Sequence, residues 1–204
     1  SMLKSYEGKR GAVIGANGGL YAIRRDLFSE LPPGTIVDDF IVPMRIIGRG
    51  FKVVYEAGAV AYEETARSHR EEFGRRARIS AGNFQSLKAV GRLLIPGSWF
   101  VAVAFFSHKV LRWCAPFLLA AALGANLFLL DSVFYVATLG LQLGFYALAL
   151  IGKAGVLRGL PRRVASAAHY FVSMNAAIAV GFWRFIRSSQ AVAWERTARR
   201  ASAR

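Results

Sequence analysis

Two carboxylates stand side by side at Asp38-Asp39, and three guanidinium groups follow at Arg75, Arg76 and Arg78. A carboxylate pair followed by arginines able to hold a phosphate suits transfer of a group off a diphosphate. The carboxylate takes a proton from an attacking hydroxyl, and the cations stabilise charge developing on the leaving group. Each half also has a purely structural use. Carboxylates at a helix start cap free N–H groups and meet the positive end of the helix dipole. Arginines on a helix also make an ordinary solvated basic face.

The elements that must position these groups are legible on either side of them. From Asp38, the apolar residues Phe40, Met44 and Ile47 recur at i, i+4 and i+7, one face of a helix that Gly48 and Gly50 stop. Pro43 is tolerable near the first turn. Residues 64–92 read as a second helix, on which Arg75 and Arg78 share a face and grip one anion from two points. Gly11 to Gly15 suggests a short buried strand leading into the loop Ala16-Asn17-Gly18-Gly19, where glycines permit close backbone approach. That loop matches neither G-x-G-x-x-G nor G-x-x-x-x-G-K-[ST], so a tight turn remains open beside a ligand-shaping role. Leu20 to Leu31 reads as a short strand or helix, with Arg24 and Arg25 exposed or turned toward a phosphate. Residues 51–55 and 59–63 read as two short strands about Glu56-Ala57-Gly58. His69 has no partner at metal-ligand spacing and reads as surface. The single cysteine, Cys114, excludes an internal disulfide and a multi-cysteine metal cluster.

Composition points to a membrane. The 204 residues are 54% hydrophobic with mean hydropathy +0.34, and the net charge is +15. Residues 1–92 carry 15 Lys and Arg against 10 Asp and Glu, whereas residues 93–204 carry 12 against 2. The second half's positives sit between long uncharged runs, the pattern of membrane-helix flanks rather than of a nucleic-acid surface. Residues 93–112 resemble an interfacial amphipathic segment, with His108, Lys109 and Arg112 after an apolar stretch. Uncharged runs at 113–130, 132–152 and 165–183 approach the roughly 20 residues a transmembrane helix needs. These spans fill 113–187, and 188–204 form a basic tail. The connection at Asp131 makes the first two spans a hairpin. Lys153, Arg158, Arg162 and Arg163 assign the next connection to the cytoplasm, the side expected for residues 1–92. A third full crossing then leaves the basic tail on the far side. Either the third run stops short, or 93–111 also crosses, or the tail breaks the rule. Asn126, Gln142, His169 and Asn175 lie within these runs, as interhelical hydrogen bonders or as a channel lining for a polar product.

Taken together, these residues resemble the membrane-bound family 2 glycosyltransferases, which include the cellulose, chitin and hyaluronan synthases. Asp38-Asp39-Phe40 is similar to the end of that family's T-E-D motif. Arg75-Arg76-Ala77-Arg78-Ile79 is similar to its Q-x-x-R-W motif, with Gly82 following. Gly15 to Gly19 and Tyr21 to Arg25 resemble the loop and strand just before T-E-D. Ser107 to Trp113 and Trp194-Glu195-Arg196-Thr197 also look like this family. Asp38 replaces Glu, Arg75 replaces Gln and Ile79 replaces Trp, the last removing an aromatic platform for an acceptor sugar. No D-x-D occurs, since the only aspartates are Asp26, Asp38, Asp39 and Asp131.

The resemblance implies an α/β fold over 1–92, the C-terminal portion of a GT-A domain built of short strands plus helices. An all-α membrane region follows. It implies an inverting glycosyltransferase of hexosyltransferase type, moving a sugar from a nucleotide-sugar to a polysaccharide or glycolipid acceptor at a bacterial inner membrane. Asp39 is then the general base, with Asp38 raising its proton affinity or capping the helix. Arg75, Arg76 and Arg78 hold the diphosphate or acceptor, and Gly15, Ala16, Asn17 and Gly18 shape the sugar or acceptor pocket. The chain looks like the acceptor and base half of the enzyme. A divalent metal, Mg or Mn, is implied for a longer parent, its ligands not in this chain, and the piece alone is expected to be inactive. Partners are the nucleotide-sugar, the acceptor and the bilayer, with no nucleic acid. The competing expectation is a non-catalytic basic membrane module that binds anionic lipid or a partner subunit.

Overall fold

A computed structural model describes residue 8 and residues 13–16, 18–62, 68–90 and 99–190. Its helices are α1 (Asp38–Gly48), α2 (His69–Val90), α3 (Trp99–Phe105), α4 (Leu111–Phe128), α5 (Val133–Ala154) and α6 (Gly159–Ile186). A 3-10 turn covers Arg25–Leu27, and a π-turn, Phe106–Val110, joins α3 to α4 without a break.

The α/β expectation for residues 1–92 is corrected: among the described residues there is no strand and no sheet, and the architecture is all-α. The residues read as strands at 51–55 and 59–63, the last of these outside the described residues, form no strand, with Val54, Val60 and Tyr62 exposed. One backbone bond ties this segment to the residues read as the first strand, from the Val13 N–H to the Val53 carbonyl at 3.2 Å. β-Branched and aromatic residues favour a strand only where a neighbour supplies a ladder, and a single bond is not a ladder.

The core lies where α1 meets α3 and the start of α4. Phe40 stacks on Phe105 with centroids 5.6 Å apart and meets Trp113 edge-on at 6.0 Å. Met44, Ile41, Phe84 and Val101 close around them. Truncating a buried phenylalanine in such a cluster costs about 3–5 kcal/mol. Helix α2 is pressed against the approach to α1 at Gly82, where a Cβ would fall 2.8 Å from Ile36. Gln85 locks that approach, accepting from the Ile36 N–H at 3.2 Å and donating to the Gly34 carbonyl at 2.9 Å. The acidic helix start is thereby fixed relative to the basic helix.

Helix α2 then runs parallel to α6. Ser80 Oγ donates to the Ile178 carbonyl at 3.2 Å, and Phe84 meets Phe182 at 4.9 Å. Further along, Lys88 Nζ lies 5.6 Å over the Phe185 ring. Small residues permit this approach: a Cβ on Gly181 would stand 2.5 Å from the Ala77 carbonyl oxygen. Helix α6 packs antiparallel on α5, with Phe145 against Phe171 and Gly152 against Ala165.

Among the described residues, three helical stretches are long and apolar enough to cross a membrane: Val101–Phe128, Val133–Ala154 and Gly159–Ile186. Their apolar side chains are largely exposed, as suits lipid contact. The interfacial segment expected at 93–112 falls partly outside the described residues. Its described part continues straight into α4 and buries Val101, Ala104 and Phe105 in the core. Between α4 and α5, Asn126 Nδ2 donates to Gln142 Oε1, and Thr138 Oγ1 donates to Asn126 Oδ1, each at 3.2 Å. Gln142 also donates to the Leu119 carbonyl at 3.2 Å. In hydrocarbon, where water is not available as a partner, such bonds join helices. Asn175 instead donates within its own helix to the Phe171 carbonyl, and His169 meets His69 edge-on at 6.0 Å.

Candidate functional site

Helix α1 begins with Asp38 and Asp39 in its first turn, after Val37, whose side chain makes no cap. Asp38 is exposed and Asp39 is half-buried. The two carboxylates are therefore not equivalent. Burial raises the proton affinity of Asp39, and the charge of Asp38 raises it further. Lys109 and the backbone N–H groups of Phe40 and Asp39 pull the other way without reversing the direction. A carboxylate held in this way is a better proton acceptor than a free aspartate. Tyr21 stands in the same field. Its hydroxyl is pushed up, first by burial and then by Asp38 and Asp39.

The glycine loop is attached to this carboxylate through the backbone. Pro43 lies inside α1 and has no N–H, so the Asp39 carbonyl loses its partner four residues on. The Ala16 N–H donates to that carbonyl at 2.8 Å. Gly15, at φ +87°, is buried against Phe40, where a Cβ would approach the ring to 3.1 Å. Gly18 passes closest to the acid: a Cβ there would stand 2.8 Å from Asp39 Oδ2. Gly15, Ala16 and Gly18 are thus gathered at the Asp39 end of α1. Asn17 lies outside the described residues.

Asp39 lines a cavity of about 470 Å³ together with Gly15, Ala16 and Phe40. Helix α2 contributes Arg76, Ile79, Ser80 and Asn83 to one wall. The π-turn and the start of α4 contribute His108, Lys109, Arg112 and Trp113 to another. Lys109 also lies 5.4 Å over the Phe40 ring.

The arginine cluster is divided. Glu72 Oε2 pairs with Arg75 and Glu72 Oε1 with Arg76, at 3.0 and 2.7 Å. Burial alone would raise the Glu72 carboxyl, but the bonds and charges of Arg76 and Arg75 together hold it below its ordinary value. Arg76 reaches the cavity, whereas Arg75 and Arg78 are not among its lining residues. Arg24, expected to be exposed or turned toward a phosphate, is exposed and bonded to Asp26 at 2.6 Å.

In the sequence, Lys109 and Arg112 read as the end of an interfacial segment and as part of the resemblance at Ser107 to Trp113, with no role beside Asp39, and Gln85 has no role. Their local pattern does not place them at the cavity, because each reaches the site from a distant element. Ile79 lines the cavity.

Among the described residues, no group of three or more His, Cys, Asp or Glu side chains is placed to hold a metal ion. Asp39 is the one carboxylate among the cavity's lining residues, and Lys109 acts on it, a donor set that does not fit a divalent cation. In comparisons with known proteins, no family model matches this chain, and no curated protein or solved structure matches it.

Proposed function

We propose that this chain is the acceptor-activating half of a membrane-anchored glycosyltransferase, with Asp39 as its general base. One observation carries the reading: the half-buried Asp39 carboxylate, with raised proton affinity, shares a cavity with Arg76 and Lys109. A lipid-binding module has no need of a carboxylate held in this state among its cations.

The chemistry is displacement at a sugar's anomeric carbon. An acceptor hydroxyl gives its proton to a carboxylate oxygen of Asp39, and its oxygen bonds to the anomeric carbon of a nucleotide-sugar. The bond from that carbon to the diphosphate oxygen breaks. The nucleoside diphosphate leaves with the electron pair, and configuration inverts. Proton removal by a placed carboxylate contributes about 10²–10⁴-fold. Arg76 offers its charge to the departing diphosphate, and Glu72 sets the direction of that side chain. The loop at Gly15 to Gly18 leaves room beside the carboxylate for the acceptor. The helical region anchors the site in a bilayer, proposed as a bacterial inner membrane with residues 1–92 on the cytoplasmic side. Any metal belongs to residues other than those described.

The reading rests on the site and not on the fold, and the donor is expected to need residues beyond this chain. The deciding experiment is nucleotide-sugar turnover by membranes carrying this chain, beside membranes carrying it extended upstream. Turnover in the extended form that Asp39→Asn abolishes supports the proposal. Turnover indifferent to Asp39→Asn removes Asp39 as base. Silence in both forms returns the chain to the basic membrane module.

A further inference from the structure

The cationic wall formed by the π-turn and the start of α4 has no part in removing the acceptor's proton, yet its placement is specific. Val101 to Phe128 is one continuous helical rod with two surroundings. Before the π-turn, Val101, Ala104 and Phe105 are buried in the core. Beyond Trp113 the helix carries no charge, and Phe117, Leu118, Leu127 and Phe128 on it are exposed. His108, Lys109 and Arg112 stand between the two stretches. The same cavity is also lined by Ala115, Met174 and Ile178, beside Tyr170, Phe171 and Asn175, from two helices of membrane length. Its lining therefore combines a carboxylate and four basic side chains with apolar side chains of those helices.

We propose that the cationic wall of the cavity binds the diphosphate head of a lipid-linked acceptor, its hydrocarbon chain leaving along α4 and α6. The proposal rests on the transferase reading and names the acceptor class for it: a sugar carried on a lipid diphosphate. Such a molecule presents a hydroxyl to Asp39, anionic oxygens to Lys109 and Arg112, and an apolar tail to the exposed helices. A free glycan has no use for the cations, and a soluble diphosphate has none for the apolar side chains. Lysine and arginine at a bilayer boundary serve this purpose because their stems lie along apolar surface while their charges meet phosphate. A helical rod interrupted by a π-turn is also a common form for a functional segment.

The test is titration calorimetry on the full 204-residue chain in detergent micelles, with farnesyl diphosphate, inorganic pyrophosphate and farnesol as probes. Farnesyl diphosphate is expected to bind at least about tenfold more tightly than either fragment of itself, since the cations and the apolar side chains both contribute. The double variant Lys109→Ala/Arg112→Ala is expected to weaken it about tenfold or more, and the charge-keeping pair Lys109→Arg/Arg112→Lys to stay within about threefold of the parent. Equal affinity for pyrophosphate and farnesyl diphosphate overturns the lipid assignment in favour of a soluble diphosphate. Unchanged affinity in the alanine pair, with the helical circular dichroism of the parent, overturns the site. A chain that binds the lipid diphosphate but fails the turnover experiment loses the transferase reading and not the binding site. One that turns over sugar without binding the probe loses only the present inference.

Discussion

Ala16 donates its backbone N–H to the carbonyl oxygen of Asp39 at 2.8 Å, taking a place in the helix ladder that Pro43 leaves open. A proline that looks awkward in the α1 pattern is therefore what couples the glycine loop to the acid. Pro43→Ala supplies a donor four residues beyond Asp39 that competes with Ala16 for the carbonyl. The helix gains a bond while the loop loses its tether. Hydrogen exchange at the Ala16 amide is expected to quicken by about tenfold, with helical content unchanged or higher. Exchange at the parent rate shows the loop to be held by other contacts.

Asp39 is held at the expense of its ionised form, so its charge works against folding. Burial, and then Asp38, place its folded-state pKa above that of the unfolded chain. A group raised in this way favours the folded state fully below the unfolded pKa and loses that favour as pH rises through the folded value. Asp39→Asn should therefore unfold at a higher temperature than the parent at neutral pH, with the gap shrinking as the solution is acidified. The same substitution should lower sugar transfer by the extended enzyme at least about a hundredfold. Thermal unfolding followed by circular dichroism across pH reads the first effect. A variant less stable than the parent at pH 7 contradicts the sign.

Gly18 guards the position of that carboxylate. A methyl group there would fall 2.8 Å from Asp39 Oδ2, and the short aspartate side chain relieves the clash only by turning. Gly18→Ala is exposed and should alter unfolding by less than about 1 kcal/mol. Transfer by the extended enzyme should nonetheless fall by about tenfold to a hundredfold, because the base no longer faces the acceptor. Equal losses in stability and activity would point to loop collapse instead.

Gln85 and Gly181 test how α2 is positioned. Gln85→Ala removes two bonds to the residues just before α1 and leaves their part-buried backbone groups without those partners, costing about 1–3 kcal/mol. Gly181→Leu cannot fit beside the Ala77 carbonyl without moving α2 away from α6, at a cost of about 1–3 kcal/mol or more. Both should lower the melting temperature in detergent. Only Gln85→Ala loosens the acidic helix start, which exchange at Ile36 reads directly.

Helix α1, from Asp38 to Gly48, is legible in the chain because its signals are local: spaced apolar residues, first-turn acids and a glycine stop. The apolar runs are equally legible, since the length and composition that suit a membrane belong to each segment alone. Pairing is not local. Residues 51–55 and 59–62 have the side chains of strands, yet whether they become strands depends on partners elsewhere, and among the described residues the Val13–Val53 bond is what joins the first of them to the residues before the loop. The same limit applies at the site. Adjacency in sequence places Asp38 beside Asp39, but only packing exposes one and half-buries the other. Arg75, Arg76 and Arg78 look alike in the sequence until Glu72 takes two of them and the cavity receives Arg76. Lys109 and Arg112 read as the end of an interfacial segment until the α3–α4 rod carries them to the cavity that Asp39 lines. The sequence by itself determined the helix start and the membrane-length segments, because short-range periodicity and hydropathy are enough for these. Tertiary structure decided which charges share a cavity, because that depends on contacts between residues far apart in the chain.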